Sequence, residues 1–139
     1  MANNTGMMTR NLGILDRIIG EIDKAIKVLA APARPGRPRP NVEEGMPPLT
    51  DGERLAATRL MRVNHSGEIA AQALYQGQAA TASTGTVAAA MRRAADEEMD
   101  HLAWCEARLR ELDGRPSLLN PLWYAGSFAI GALAGAVGD

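Results

Sequence analysis

The chain has 139 residues, is 46% hydrophobic and carries a formal net charge of −1, which suits one compact domain. Fifteen Lys+Arg against sixteen Asp+Glu leave no global basic field, so nucleic acid is not an expected partner. A single cysteine, Cys105, excludes an intrachain disulfide and a Cys-based zinc knuckle, and reads as a packed thiol in a reducing compartment.

The first residues, Met-Ala-Asn-Asn-Thr-Gly, lack the basic stretch, apolar run and small-residue cleavage site of a secretion signal, so a cytoplasmic setting is expected. Across residues 12–29, apolar Leu15, Ile18, Ile19, Ile22, Ile26 and Leu29 recur at intervals of three and four. Asp16, Arg17, Asp23, Lys24 and Lys27 fill the other side. This predicts an amphipathic helix in residues 1–30, packed against a bundle or laid on a membrane surface. Residues 31–48 hold six of the eight prolines, a density no helix tolerates, so 31–49 is expected to be a solvated, extended linker.

Residues 50–139 carry the remaining helices. Thr50, Asp51, Gly52 and Glu53 have the form of a capping box and open a long helix running toward Ala82. Its clearest apolar stripe passes through Leu60, Val63, Gly67, Ala70 and Leu74. A further helix follows Gly85 and Thr86 and runs to about Leu112, where Asp113, Gly114, Arg115 and Pro116 stop it. Asn120 before Pro121 reads as a capping residue ahead of a proline in the first turn, opening a final helix of Gly, Ala and large apolar residues. That segment is uncharged from Pro116 to Gly138, yet its proline, asparagine and small residues favour a buried or monotopic helix over a span. Leu122, Trp123, Tyr124 and Phe128 suit a lipid boundary, a greasy pocket or the core equally. No stretch alternates with a strand's period, so the predicted class is all-α.

Advancing 100° per residue from Val87 to Leu112 places Val87, Met91, Ala94, Ala95, Leu102, Cys105, Leu109 and Leu112 on one stripe. Glu98 and His101 are the polar side chains within it, so a carboxylate and an imidazole are expected to point inward. A buried, unpaired carboxylate costs several kcal/mol by order of magnitude, so a compensating partner is required. A metal is one, since Glu-x-x-His is the spacing by which bundle helices present ligands to a dinuclear iron centre; a direct hydrogen bond between the two residues is the other. Glu68, on the preceding helix, lies beyond the border of its apolar stripe and by that pattern reads as solvated, although Met61, Ala71 and Tyr75 widen the apolar side toward it, so a helix wedged between two neighbours would aim it inward.

The segment from Arg62 through Val63, Asn64, His65, Ser66 and Gly67 to Glu68, the run 71–78, and Asp96 to Leu102 resemble the demethoxyubiquinone hydroxylase family. The tail Leu119, Asn120, Pro121, Leu122, Trp123, Tyr124 continues the likeness, while residues 1–49 add little to it. The resemblance implies a ferritin-like helical bundle, incomplete here, with the first half of a di-iron four-helix core. It implies Glu68, Glu98 and His101 as metal ligands: Glu98 bridging, Glu68 terminal, His101 the nitrogen donor, with two irons per complete site and no catalytic residue apart from these ligands. It further implies a monooxygenase of ubiquinone biosynthesis that hydroxylates the ring of a polyprenyl methoxybenzoquinone with O₂, peripheral on the cytoplasmic side of a bacterial cell membrane. Gln72, Tyr75 and Trp104 are candidates to support the site or simply to pack, and His65 is expected at a surface or helix contact. After Asp139 the family continues with a second Glu and a second Glu-x-x-His, so the chain reads as a fragment or as a homo-oligomer whose copies together supply six ligands. The competing reading is a non-catalytic helical module that docks on membranes or a partner.

Overall fold

The computed structural model describes residues 13–40 and 47–138. Among them the secondary structure is entirely helical, as expected: α1 (Ile14–Ala30), α2 (Asp51–Thr81), α3 (Gly85–Glu111) and α4 (Asn120–Val137). Leu12, residues 41–46 and Asp139 lie outside the described residues. The Thr50 capping box forms as read: its hydroxyl accepts from the Glu53 N–H and the Glu53 carboxylate accepts from the Thr50 N–H. Thr84 caps α3 in the same way, through the Val87 N–H. At the end of α3 the left-handed residue is Asp113 (φ 55°) and not Gly114. Gly114 is required for another reason, because a Cβ there would come 2.6 Å from Thr58 Cγ2.

α2 is the central element. α3 runs antiparallel along it and α4 parallel, and among the described residues the α3 and α4 backbones do not approach one another closely. The α2–α4 seam is unusually close. A Cβ on Gly77 would meet the backbone at Phe128 and Ala132, one on Gly131 the Leu74 carbonyl, and one on Gly135 Gln78 and Thr81. Thr81 Oγ1 donates to the Ala132 carbonyl at 2.7 Å across this seam.

Being gripped from two sides decides which face α2 buries, and it is not the expected stripe. Leu60 and Val63 are exposed, whereas His65, Ile69, Gln72, Ala73 and Gln76 are buried. The polar members are tolerated because partners meet them: Gln72 Nε2 donates to the Ala95 carbonyl (3.3 Å) and Gln76 Oε1 accepts from the Tyr124 hydroxyl (2.5 Å). His65 Nδ1 lies 3.4 Å from Asn120 Nδ2, which makes His65 a buried helix contact and not a surface residue. Asn120 does not cap α4. Leu119 holds that position, and the Asn120 side chain turns to accept from the Ser66 hydroxyl at 2.8 Å instead. No described helix is long and apolar enough to cross a membrane.

α1 joins the core only near its C-terminal end, where Val28 packs with Ile69, Ala73, Leu102 and Tyr124. Its expected packing stripe stays largely in solvent, with Ile14, Leu15, Ile18, Ile19, Ile22 and Ile26 all more than half exposed. The described part of the proline-rich segment is non-helical and mostly exposed, as predicted, but it is also fastened to α3 at several points. Asp100, buried although its helical angle placed it outside the apolar stripe, accepts from the Gly36 N–H (2.6 Å) and pairs with Arg37 Nε (2.5 Å). Glu106 accepts from the Ala33 N–H, and Arg39 pairs with Glu111. Arg37 and the Gly36 N–H hold the Asp100 carboxyl below its ordinary range.

Two outcomes follow from this packing. Gly131→Ala forces a Cβ into the Leu74 backbone and should lower unfolding free energy by about 1–3 kcal/mol in urea titrations, the usual cost of overpacking. Asp100→Asn should release the segment, seen as faster amide hydrogen exchange at Gly36 and Arg37 while α2 and α4 keep their protection.

Candidate metal centre

Glu68 comes from the middle of α2 and Glu98 and His101 from the middle of α3, at the level where the antiparallel pair sets these three side chains together. One ligand atom from each lies within 4.8 Å of the others. His101 Nδ1 is 3.0 Å from Glu98 Oε2 and 3.8 Å from Glu68 Oε2. The two carboxyl groups stand close beside one another, and the Trp104 ring lies tilted against the imidazole, centroids 5.3 Å apart.

Glu68, which the hydrophobic pattern assigned to solvent, is thus part of the cluster and three-quarters buried. Glu98 and His101 are less enclosed than their stripe suggested, the His101 side chain being 44% exposed. The reason is geometric: α3 turns Leu102, Ala103 and Leu109 toward the core, and the cluster sits at the open border of the α2–α3 seam.

Burial, followed by the adjacent Glu98 carboxyl, pushes the Glu68 carboxyl up to about 7. Two carboxyls held side by side attract a cation, and one imidazole with two carboxylates is a donor set that suits first-row divalent metals. The residues present therefore fit a metal. Burial and then Glu68 push the Cys105 thiol up to about 11, so without a metal it is a neutral thiol at neutral pH.

Two supporting groups were partly legible. Gln72 and Trp104 do lie beside the cluster's helices, each with a buried polar atom, Gln72 Oε1 and Trp104 Nε1, lacking a partner among the described residues. Asp100 and Glu106, which fasten the proline-rich segment on either side of His101, were missed. The available signal was charge pairing, an arginine-rich segment opposite acids on a neighbouring helix.

A two-carboxylate, one-histidine cluster across an antiparallel helix pair is the kind of donor set that carboxylate-type helical bundles present to metals. The chain belongs to the family described as "Ubiquinone biosynthesis protein COQ7", whose profile matches residues 56–139. It is 55% identical over 126 residues to the 3-demethoxyubiquinol 3-hydroxylase of Chromobacterium violaceum, covering 91% of this chain and 61% of that protein. It is 51% identical over 138 residues to the protein of the same name in Bordetella pertussis, covering 99% and 62%, and 54% identical to that of Aromatoleum aromaticum, covering 91% and 61%. The chain spans about three fifths of the length of these curated relatives. No solved structure matches it.

The raised Glu68 carboxyl fixes a pH dependence. It binds its proton more tightly folded than unfolded, so it contributes stability below pH about 4.5 that is lost as pH rises through about 7. The melting temperature of the metal-free chain should fall between pH 5 and 8 relative to Glu68→Gln, whose profile over this window should be flatter.

Proposed function

We propose that Glu68, Glu98 and His101 are ligands of a di-iron centre, and that the chain takes part in hydroxylating the ring of a polyprenyl demethoxyubiquinol with O₂. The observation that carries this reading is the convergence of the three side chains, with a carboxyl pushed up to about 7 for want of a positive charge. The relatives' shared name supplies the substrate class.

Iron held here would supply the redox chemistry for O₂. The chain's own residues do the rest. Glu98, close to His101 and beside Glu68, would hold the metal together with these two residues. Trp104 limits rotation of the imidazole. One Glu and one Glu-x-x-His form half of a bundle's six-ligand pattern, so two copies of this chain would supply the full set. The exposed apolar face of α1, with Leu118, Leu119, Leu122 and Trp123 around the start of α4, supports peripheral contact with the cytoplasmic side of a bacterial cell membrane.

Native mass spectrometry after anaerobic loading with ferrous iron tests the reading. The expected species is a dimer with two irons, and Glu98→Ala or His101→Ala should lose iron while keeping its helical circular dichroism. Variants that bind iron like the parent would overturn the ligand assignment; an iron-free monomer would mean that the centre needs ligands this stretch of chain does not itself supply. The exposed α1 face also favours the docking-module reading. That reading predicts liposome flotation as the chain's only measurable activity, unchanged by Glu98→Ala.

A further inference from the structure

The helical repeat gathers the isoleucines of α1 on one side, and that is the side α1 turns away from the bundle. α1 lies over a trough along α2 whose walls include Ile18, Ala79 and Phe128. Its inner side is Gly20, Glu21, Lys24, Ala25 and Val28, all at least partly buried. Its outer side is Leu15, Ile19, Ile22 and Ile26, each between 54 and 69% exposed. The Glu21–Lys24 ion pair, at 2.7 Å, thus takes a place that a packing helix usually gives to apolar residues. The hydrophobic face of α1 meets nothing among the described residues, and a contiguous apolar surface of this kind marks an interface.

Apolar exposure alone suits a lipid surface and another helix equally; the spacing and the edges of the face separate the two. Leu15, Ile19, Ile22 and Ile26 follow one another at intervals of four, three and four, the seam of a two-stranded coiled coil. In that seam Ile19 and Ile26 hold the a positions, where β-branched residues favour a parallel pair, and Leu15 and Ile22 hold d. A helix that lies in lipid carries lysine and arginine along its polar margin and aromatic residues in its apolar face. α1 has three acids against three bases and no aromatic residue, and Asp16 and Asp23 border its open side. The start of α4, where Leu122 and Trp123 are exposed, suits lipid better.

We propose that α1 pairs in parallel with α1 of a second copy of this chain, Leu15, Ile19, Ile22 and Ile26 forming the seam. In a parallel pair Asp16 and Asp23 face the partner's Ile18 and Ala25, whereas an antiparallel pair sets acid against acid. A free peptide of this length is too short to hold a helix, but Val28 anchors α1 in the core, so the helix is formed before it meets its partner. The seam buries on the order of 1,000 Å² between two copies, at the lower end for a specific interface, so the dimer is reversible and weak. It contains none of Glu68, Glu98 and His101 and needs no metal.

Sedimentation velocity of the full chain in a chelating buffer, across about two decades of concentration around the micromolar range, tests the pairing. The parent should pass reversibly from monomer to dimer. Ile19→Glu with Ile26→Glu should weaken the dimer at least about a hundredfold, the scale of like charges forced together at an interface. Both positions are exposed in the single chain, so the helical circular dichroism should stay unchanged. Ile19→Lys with Ile26→Lys should dissociate likewise, and mixing the two double variants should restore a dimer, because a parallel pair sets each position against itself. If the glutamate variant does not fold, Ile19→Ser with Ile26→Ser takes its place. A monomeric parent, a dimer indifferent to these substitutions, or a mixture that stays monomeric would sink the proposal. A monomer that floats with vesicles until Ile19 and Ile26 are charged would give the face to lipid instead. A dimer that forms only with iron and is lost in His101→Ala would belong to the metal centre; one that forms without iron and survives His101→Ala belongs to α1, whatever becomes of the hydroxylase reading.

Discussion

Everything in this molecule is arranged around the glycine-mediated contact between α2 and α4. Gly77, Gly131 and Gly135 let two backbones approach to distances that any Cβ would forbid, and this fixes α4 parallel to α2. With one flank of α2 taken by that seam and the other by α3, α2 has no freedom to bury its most apolar stripe. It buries Ile69 and Ala73 together with His65, Gln72 and Gln76, and meets most of their hydrogen-bonding needs with α3 and α4. The same arrangement leaves room over α2 for a trough on one face and brings Glu68 to the α3 border on another.

The cluster of Glu68, Glu98 and His101 is the electrostatic counterpart of that packing. Two carboxyls held beside one imidazole, mostly out of water, resist ionising together, and burial followed by the Glu98 carboxyl pushes Glu68 up to about 7. Helices chosen for stability alone would not place acids this way. A cation held between them would offset that repulsion.

Much of this was readable from residues. Helix ends were legible where the side chain that caps also neighbours its target in sequence, as at Thr50, and the Glu-x-x-His spacing exposed Glu98 and His101. Glu68 was visible through family resemblance and invisible to periodicity, because its environment is set by α3, thirty residues on. The misreadings share that cause. Asn120 was expected to cap its own helix and instead serves Ser66 and His65. Leu60 and Val63 were expected inside and lie outside, because burial on α2 follows its two neighbours and not its own moment of hydrophobicity. Asp100 looked solvent-facing until the proline-rich segment returned to cover it.

That segment has a thermodynamic consequence of its own. Prolines at 32, 35, 38 and 40 restrict the backbone before folding begins, so the unfolded chain already lacks many of the conformations that docking would otherwise have to remove. A handful of hydrogen bonds to Asp100 and Glu106 can therefore hold a stretch with no internal hydrogen-bond ladder. Replacing those prolines with alanine would leave every visible contact in place and still loosen α1 from the rest, through the entropy of a state that the folded structure never displays.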